Sequence, residues 1–238
     1  FRQDYRPYTA KQWGIAPEEL DVSVLQRVPV RLSYIDQYFD DRYQMQPKGG
    51  YTAFFEKMLA DEKIELRLST NACQHLMLKD DGMILLDGEA VHVPVIYTGA
   101  LDELFQCRYG KLPYRSLSFK YEVLSTRDFQ RTPGVAYPLA EGYTRITEFS
   151  KLMPLSPDTN KTIIAYEYPE IYGSDRGKEA YYPILTTASQ KLYQRYLGEA
   201  KRYPMLYPCG RLGDFKYYNM DQAILRAVEL FEKLPLDL

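Results

Sequence analysis

An α+β chain with α/β elements is the fold class this sequence predicts, and three observations predict it. Apolar and polar residues alternate in Leu117-Ser118-Phe119-Lys120-Tyr121-Glu122-Val123, and again over 143–149 and 162–168, the period of antiparallel strands with one wet face. Helical period then takes over: Leu192, Tyr193, Tyr196, Leu197 and Ala200 share one stripe, and Ile224, Ala227, Val228 and Phe231 are expected as the buried side of a last helix. Ahead of the sheet, residues 91–97 form a near-continuous apolar run ending at Thr98-Gly99, as a strand buried on both faces would.

The remaining elements follow in chain order. Leu20 and Val24 fit helical spacing, with Pro17 suited to a first helical turn and Pro29 to a stop. Pro47-Lys48-Gly49-Gly50 reads as a turn or a place of close backbone approach. Residues 51–60 then put Phe54, Phe55, Met58 and Leu59 on one side of a helix. Ile64-Glu65-Leu66-Arg67-Leu68 alternates like a strand, and Asp87-Gly88 after Leu86 marks a hairpin. Asn219 is a good N-cap, and Gln222, three residues on, completes a capping-box variant. A helix start placed there could face an anion or an electron-rich ring, or could simply connect strand to helix.

Composition narrows the function classes. The 238 residues carry 30 Lys+Arg against 32 Asp+Glu, a formal net charge of −2, with 45% hydrophobic and 26% charged residues. That is a globular make-up, long enough for one large domain or two smaller ones. Near-neutral charge argues against general attraction to nucleic acid or anionic lipid, and leaves room for a local basic pocket. No apolar run approaches the roughly 20 residues of a membrane span. Phe1-Arg2-Gln3-Asp4-Tyr5 lacks an initiator Met and the hydrophobic core of a signal peptide, so a processed chain or a fragment is expected. Cys73, Cys107 and Cys209 are scattered and odd in number, which suits a reduced, cytoplasmic setting. With only His75 and His92, both in strand-like stretches, no metal site and no His-dependent triad is expected. Tyrosine is the outlier, at 23 against 10 phenylalanines. Each buried phenol wants a hydrogen-bond partner, so the excess fits a site for polyhydroxyl or phosphate groups, or wet packing.

Several strings together resemble the UDP-galactopyranose mutase family. They are Tyr8-Thr9-Ala10-Lys11-Gln12-Trp13-Gly14, Arg27-Val28-Pro29-Val30-Arg31, Tyr38-Phe39-Asp40-Asp41-Arg42-Tyr43-Gln44 and Gly50-Tyr51-Thr52. Further on come Ile96-Tyr97-Thr98-Gly99, Tyr114-Arg115-Ser116-Leu117, Tyr143-Thr144-Arg145-Ile146, Glu167-Tyr168-Pro169 and Tyr181-Tyr182-Pro183. The last are Gly210-Arg211-Leu212 and Lys216-Tyr217-Tyr218-Asn219-Met220-Asp221. Any one is weak; the ordered set is specific and spans nearly the whole chain.

The resemblance implies part of an FAD-binding doubly wound α/β domain with an inserted antiparallel β-sheet domain. Residues 1–36 would be the tail of a helical substrate domain with a mobile loop, and 37–108 part of the FAD-binding domain. Residues 109–184 would be the antiparallel substrate domain, and 185–238 the C-terminal part of the FAD-binding domain. Family members begin with a GxGxxG βαβ unit that cradles the FAD pyrophosphate, and no such motif occurs in this sequence. A C-terminal part of a mutase is therefore expected, without bound FAD and inactive by itself.

The implied chemistry interconverts UDP-galactopyranose and UDP-galactofuranose through an adduct of the sugar with N5 of reduced flavin, an isomerase reaction in which UDP leaves and returns. Cations and donors at the diphosphate are then the protein's main lever, and a guanidinium fits phosphate better than an ammonium. By resemblance, Arg27 on a mobile loop and Arg145 on the sheet meet the diphosphate and are the catalytic candidates. Tyr38, Tyr182 and Tyr217 donate to the same phosphates, while Tyr8 and Trp13 surround the uridine and Thr9 is a further substrate-binding candidate. Arg115 and Arg211 lie beside the sugar or flavin, and Gly49, Gly50, Asn219 and Met220 join Arg211 at the cofactor. A cytoplasmic homodimer goes with the family.

Two departures bear on the sugar: Asn219 stands where many bacterial members carry Asp, and Val135-Ala136-Tyr137 lacks the Asn that many place before the Thr-Arg strand. A noncatalytic UDP-sugar-binding module is the alternative, and a GxGxxG unit encoded upstream would point away from it. An amine-oxidase-type flavoenzyme shares the cofactor fold but has no use for diphosphate-directed Arg and Tyr side chains.

Overall fold

The computed structural model describes residues 2–26, 34, 41–152, 159–173 and 178–235. Helices α1 (Tyr5–Trp13), α2 (Val22–Gln26), α3 (Gly50–Met58) and α4 (Ala72–His75) come first, with a short 3-10 turn at Pro17–Glu19. Strands β1 (Leu76–Leu78), β2 (Ile84–Leu86), β3 (Glu89–Ala90) and β4 (Val95–Tyr97) lead into α5 (Leu101–Leu104). The long strand β5 (Tyr114–Leu124) follows, then β6 (Gly134–Ala136), β7 (Arg145–Glu148), β8 (Thr162–Ile171) and β9 (Tyr182–Pro183). Helix α6 (Thr187–Ala200), β10 (Leu206–Pro208), α7 (Gly210–Gly213) and α8 (Met220–Phe231) complete the chain. The elements fall into two compact units.

The first unit comprises Phe1–Glu18, Leu25–Ser69 and Leu117–Glu170. Its sheet runs β6-β7-β8-β5, with β7 antiparallel to both neighbours. Period-2 alternation sends Ile146 and Glu148 of β7, with Ile164 of β8, into the interior. Helix α1 is tied to this unit by Lys11, whose Nζ donates to the carbonyls of Tyr137 (2.7 Å), Ala140 (2.7 Å) and Tyr143 (2.8 Å). Burial lowers the pKa of that ammonium, and the three carbonyls supply the solvation it loses. Residues 64–68 do not form a strand, and Ile64, Leu66 and Leu68 are exposed. Alternation alone does not make a strand.

The second unit comprises Glu19–Val24, Thr70–Ser116 and Ile171–Leu238. The expected hairpin is β2–β3, closed by Asp87 and Gly88 at φ 51° and 90°, the left-handed pair a type I′ turn requires. The apolar run 91–97 forms a strand only at its end, where β4 pairs in parallel with β10. Ile96 in the middle of β4 is half-exposed, so the strand is not buried on both faces. Neither histidine sits in a strand: His75 closes α4 and pairs with Asp87 at 2.5 Å, and His92 lies between β3 and β4.

Helix α6 starts at a capping box in which Thr186 Oγ1 accepts from Ser189 N–H (3.1 Å) and Ser189 Oγ from Thr186 N–H (2.9 Å). Its stripe of Tyr193, Tyr196 and Ala200 is buried, as its spacing predicts. Helix α8 starts at the predicted Asn219–Gln222 box, Asn219 N–H donating to Gln222 Oε1 at 2.8 Å. Its apolar stripe is not buried, however: Ile224, Val228 and Phe231 are 56%, 49% and 58% exposed.

Candidate functional site

In the second unit three predicted residues meet around one guanidinium. Gly210, with φ 84°, turns the chain from β10 into α7 and sets Arg211 at its start. Arg211 donates to the carbonyls of Tyr218 (2.6 Å) and Tyr181 (3.2 Å). Its guanidinium carbon lies 5.2 Å from the ring centroids of both Tyr182 and Tyr217, whose rings meet edge to face at 5.0 Å. The ring faces and carbonyls hold the cation by electrostatics while leaving its charge formally uncompensated. Among the described residues no carboxylate pairs with it.

Arg115, opposite Tyr182 in the β5–β9 register, is buried, and its carbonyl accepts from Tyr181 N–H at 2.9 Å. The Tyr218 phenol is pushed up to about 12, chiefly by burial and then by Asp214, and stays neutral. Asn219 and Met220 open α8, with Met220 exposed. A cavity of ≈ 380 Å³ elsewhere in this unit is lined by Tyr193, Leu206, Asp214, Arg226 and Leu230 among others, and Arg211, Tyr182 and Tyr217 do not line it.

In the first unit Arg145 starts β7 directly opposite Glu167 of β8, and the two form an ion pair at 3.0 Å. Glu167 is buried, while Arg145 keeps part of its side chain in solvent. Strand Gly134 leaves room beside it: a Cβ there would stand 3.7 Å from Arg145 Cδ. The adjoining phenols are themselves a cluster, Tyr143 meeting Tyr137, Tyr166 and Tyr168 edge to face. Tyr8, Thr9 and Trp13 all lie on α1, where Thr9 is buried and Trp13 only 5% exposed. Gly49 and Gly50, at φ 91° and 83°, make the left-handed entry to α3.

Arg27 and Tyr38 lie outside the described residues. Two side chains that motif reading passed over are now visible. Glu167 was noticed only as part of a string, although its alternation with the strand of Arg145 signals a cross-strand partner. Lys11 likewise organises the 137–143 loop. No group of metal-ligating side chains occurs among the described residues. No described helix is long and apolar enough to cross a membrane.

The elements and sheets define a mixed α/β protein with an antiparallel sheet. A family model described as UDP-galactopyranose mutase matches residues 4–217, and the chain belongs to that family. The UDP-galactopyranose mutase of Mycoplasma pneumoniae is 36% identical over 233 residues, 97% of this chain and 58% of that protein. The dTDP-fucopyranose mutase of Escherichia coli is 30% identical over 224 residues, 93% of this chain and 57% of that protein. A crystal structure of reduced UDP-galactopyranose mutase shares the fold, with a TM-score of 0.67 over 96% of this chain and 62% of that one, at 18% identity. The chain thus spans somewhat over half the length of the curated relatives it matches.

Proposed function

We propose that this chain is the diphosphate-binding part of an isomerase that interconverts UDP-galactopyranose and UDP-galactofuranose with reduced FAD. The observation that carries the reading is Arg211, a guanidinium set between the rings of Tyr182 and Tyr217 with no carboxylate partner among the described residues. Tyr182 and Tyr217 donate their hydroxyls to the diphosphate, and Arg211 fixes both rings and faces the sugar or flavin. Arg145, steadied by Glu167, is the phosphate-directed cation of the sheet, and Arg27 and Tyr38 are proposed for the same chemistry. Each stabilises negative charge as the bond from anomeric carbon to diphosphate lengthens, and so lowers the barrier to departure and return of UDP. Tyr8, Thr9 and Trp13 are assigned to the uridine, with the packing of Trp13 keeping α1 in place. Ala136, opposite Arg145 in register, and Asn219 are where sugar preference is proposed to be set.

In the second unit, Arg211 and the start of α8 suit the flavin end of FAD. The start of α8 offers the partial positive charge of a helix N-terminus, and Gly49 is crowded only by Ala53, at 3.8 Å from an added Cβ. Gly49, Gly50, Arg211, Asn219 and Met220 would hold the flavin, but no GxGxxG turn is present in the sequence for the pyrophosphate. When bound and reduced, FAD supplies the nucleophile for the anomeric carbon. Residues 37–108 and 185–238 belong, in this reading, to a doubly wound cofactor domain, 109–184 to a substrate domain and 1–36 to the tail of a helical one. The cytoplasm and a homodimer go with it, as does inactivity of this chain alone. A noncatalytic UDP-sugar-binding module is the competing reading.

Calorimetric titration of this chain with UDP and with uridine tests the binding claim. UDP should bind more tightly than uridine, and the double variant Tyr182→Phe/Tyr217→Phe, which keeps both rings, should weaken UDP by about tenfold or more. Equal affinity for UDP and uridine, or unchanged UDP binding by the double variant, would overturn it.

A further inference from the structure

Lys11 joins two segments that lie 126 to 132 residues apart in sequence. Its Nζ stands at 2.7, 2.7 and 2.8 Å from three carbonyls of one loop, those of Tyr137, Ala140 and Tyr143. Carbonyl dipoles aimed at one point repel one another, and a cation at that point turns the repulsion into attraction. An ammonium has three donors, so three acceptors around it are matched one for one. The loop's own backbone bonds are longer, 3.4 Å from Ala140 N–H to the Tyr137 carbonyl and 3.1 Å from Tyr143 N–H to that of Glu141. The bend of the loop therefore depends on a charge supplied by α1.

Both ends of this connection lead to proposed substrate contacts. The loop joins β6 to β7 and is fixed to the strands at its edges. Tyr137 N–H donates to the Thr144 carbonyl and Thr144 N–H to that of Glu167, each at 2.8 Å. Arg145 follows directly, opposite Ala136 on one side and Glu167 on the other. Along α1, Lys11 lies three residues from Tyr8, about 60° round the helix axis and so on the same side, and two residues from Trp13. A helix of nine residues is marginal by itself, so tertiary contacts decide where α1 rests in its unit.

We propose that Lys11 is a positioning residue: it sets the spacing between the helix assigned to the uridine and the strand that carries Arg145. Nucleoside and diphosphate of one molecule are then engaged together. The inference rests on the UDP reading and adds a coupling to it. Two subsites held in one frame make the second contact intramolecular, and the joined ligand binds far more tightly than either half. Removing the ammonium leaves each subsite its own side chains and releases the spacing between them.

Lys11→Met keeps the aliphatic chain and loses the charge and the donors. In calorimetric titrations of this chain, its affinities for uridine and for inorganic pyrophosphate should stay within about twofold of the wild type, while UDP weakens by about tenfold or more. Lys11→Ala should lose UDP affinity likewise and regain it with n-propylammonium in the buffer, but not with propanol. Unchanged UDP affinity, equal weakening of all three ligands as from general structural damage, or no recovery with the amine would overturn the inference. A measurement without ligand separates it from the UDP reading. Hydrogen exchange over 137–144 should quicken by about tenfold or more in Lys11→Met, with β8 unchanged. Unaltered exchange in the loop would overturn the role of Lys11 and leave the UDP reading standing. A wild-type chain that binds UDP no more tightly than uridine would overturn that reading and the coupling with it.

Discussion

Glu148 and Asp102 are both buried, and their surroundings treat the charge oppositely. Burial by itself would raise the pKa of Glu148, yet backbone N–H groups of Gln130 (2.9 Å) and Phe129 (3.0 Å) donate to its two oxygens and hold it below the usual carboxylate range. A depressed carboxyl contributes stability above its unfolded pKa and loses it as pH falls through the folded value. Glu148→Gln keeps one acceptor and sets an amide against the other donor. It should cost about 1–3 kcal/mol in urea unfolding at pH 7, less in acid. An unchanged midpoint at pH 7 would show that the 129–130 loop does not depend on this carboxylate.

Asp102 is the reverse case. Its carboxyl is held above the usual range, chiefly by burial, against the N–H donated to it by Leu112 at 2.9 Å and the weaker help of the backbone N–H groups of Asp102 and Glu103. A raised carboxyl makes the folded state lose stability as pH climbs from the unfolded pKa to the folded one, and the loss then stays constant. Asp102→Asn keeps an acceptor for Leu112 and should raise the melting midpoint at pH 7 while changing little near pH 3. A rise of equal size at both pH values would point to packing and not to charge.

At the scale of elements, the capping box of α6 is the clearest local device. Thr186→Ala removes the acceptor for Ser189 N–H, and the expected cost is about 1 kcal/mol, read as a shift in denaturation midpoint. The Asn219–Gln222 capping box, the Asp87-Gly88 hairpin and the alternating strands of the sheet were legible in the sequence, because each depends on residues within a few positions of one another. What escaped depends on remote partners. Ile64 to Leu68 alternates as well as β7 does, but β7 is paired between β6 and β8, and 64–68 is in no sheet among the described residues. The stripe of α8 was read correctly as apolar and wrongly as buried, since periodicity reports that a face is built for cover without saying which chain covers it. The same distinction applies to α3, where Phe54, Phe55 and Met58 line one side and no residue is buried. Within the candidate site, the motif strings pointed to Arg211, Tyr182 and Tyr217. Their grouping round one guanidinium, and the pairing of Arg145 with Glu167, became visible only with the strands in register.

At the scale of the whole molecule, the proposed function has this chain supplying diphosphate-directed arginines and tyrosines to a mutase. The most direct measurement is turnover of UDP-galactofuranose to the pyranose form, followed by chromatography, for this chain alone and for its complex with the part of the Mycoplasma pneumoniae relative that lies outside the match. Turnover should require both the complex and dithionite-reduced FAD, and Arg145→Ala in the complex should lower kcat/KM by about 10²-fold or more. Turnover by this chain alone, equal rates with oxidised and reduced FAD, or an assembled flavin-loaded complex without activity would contradict the account.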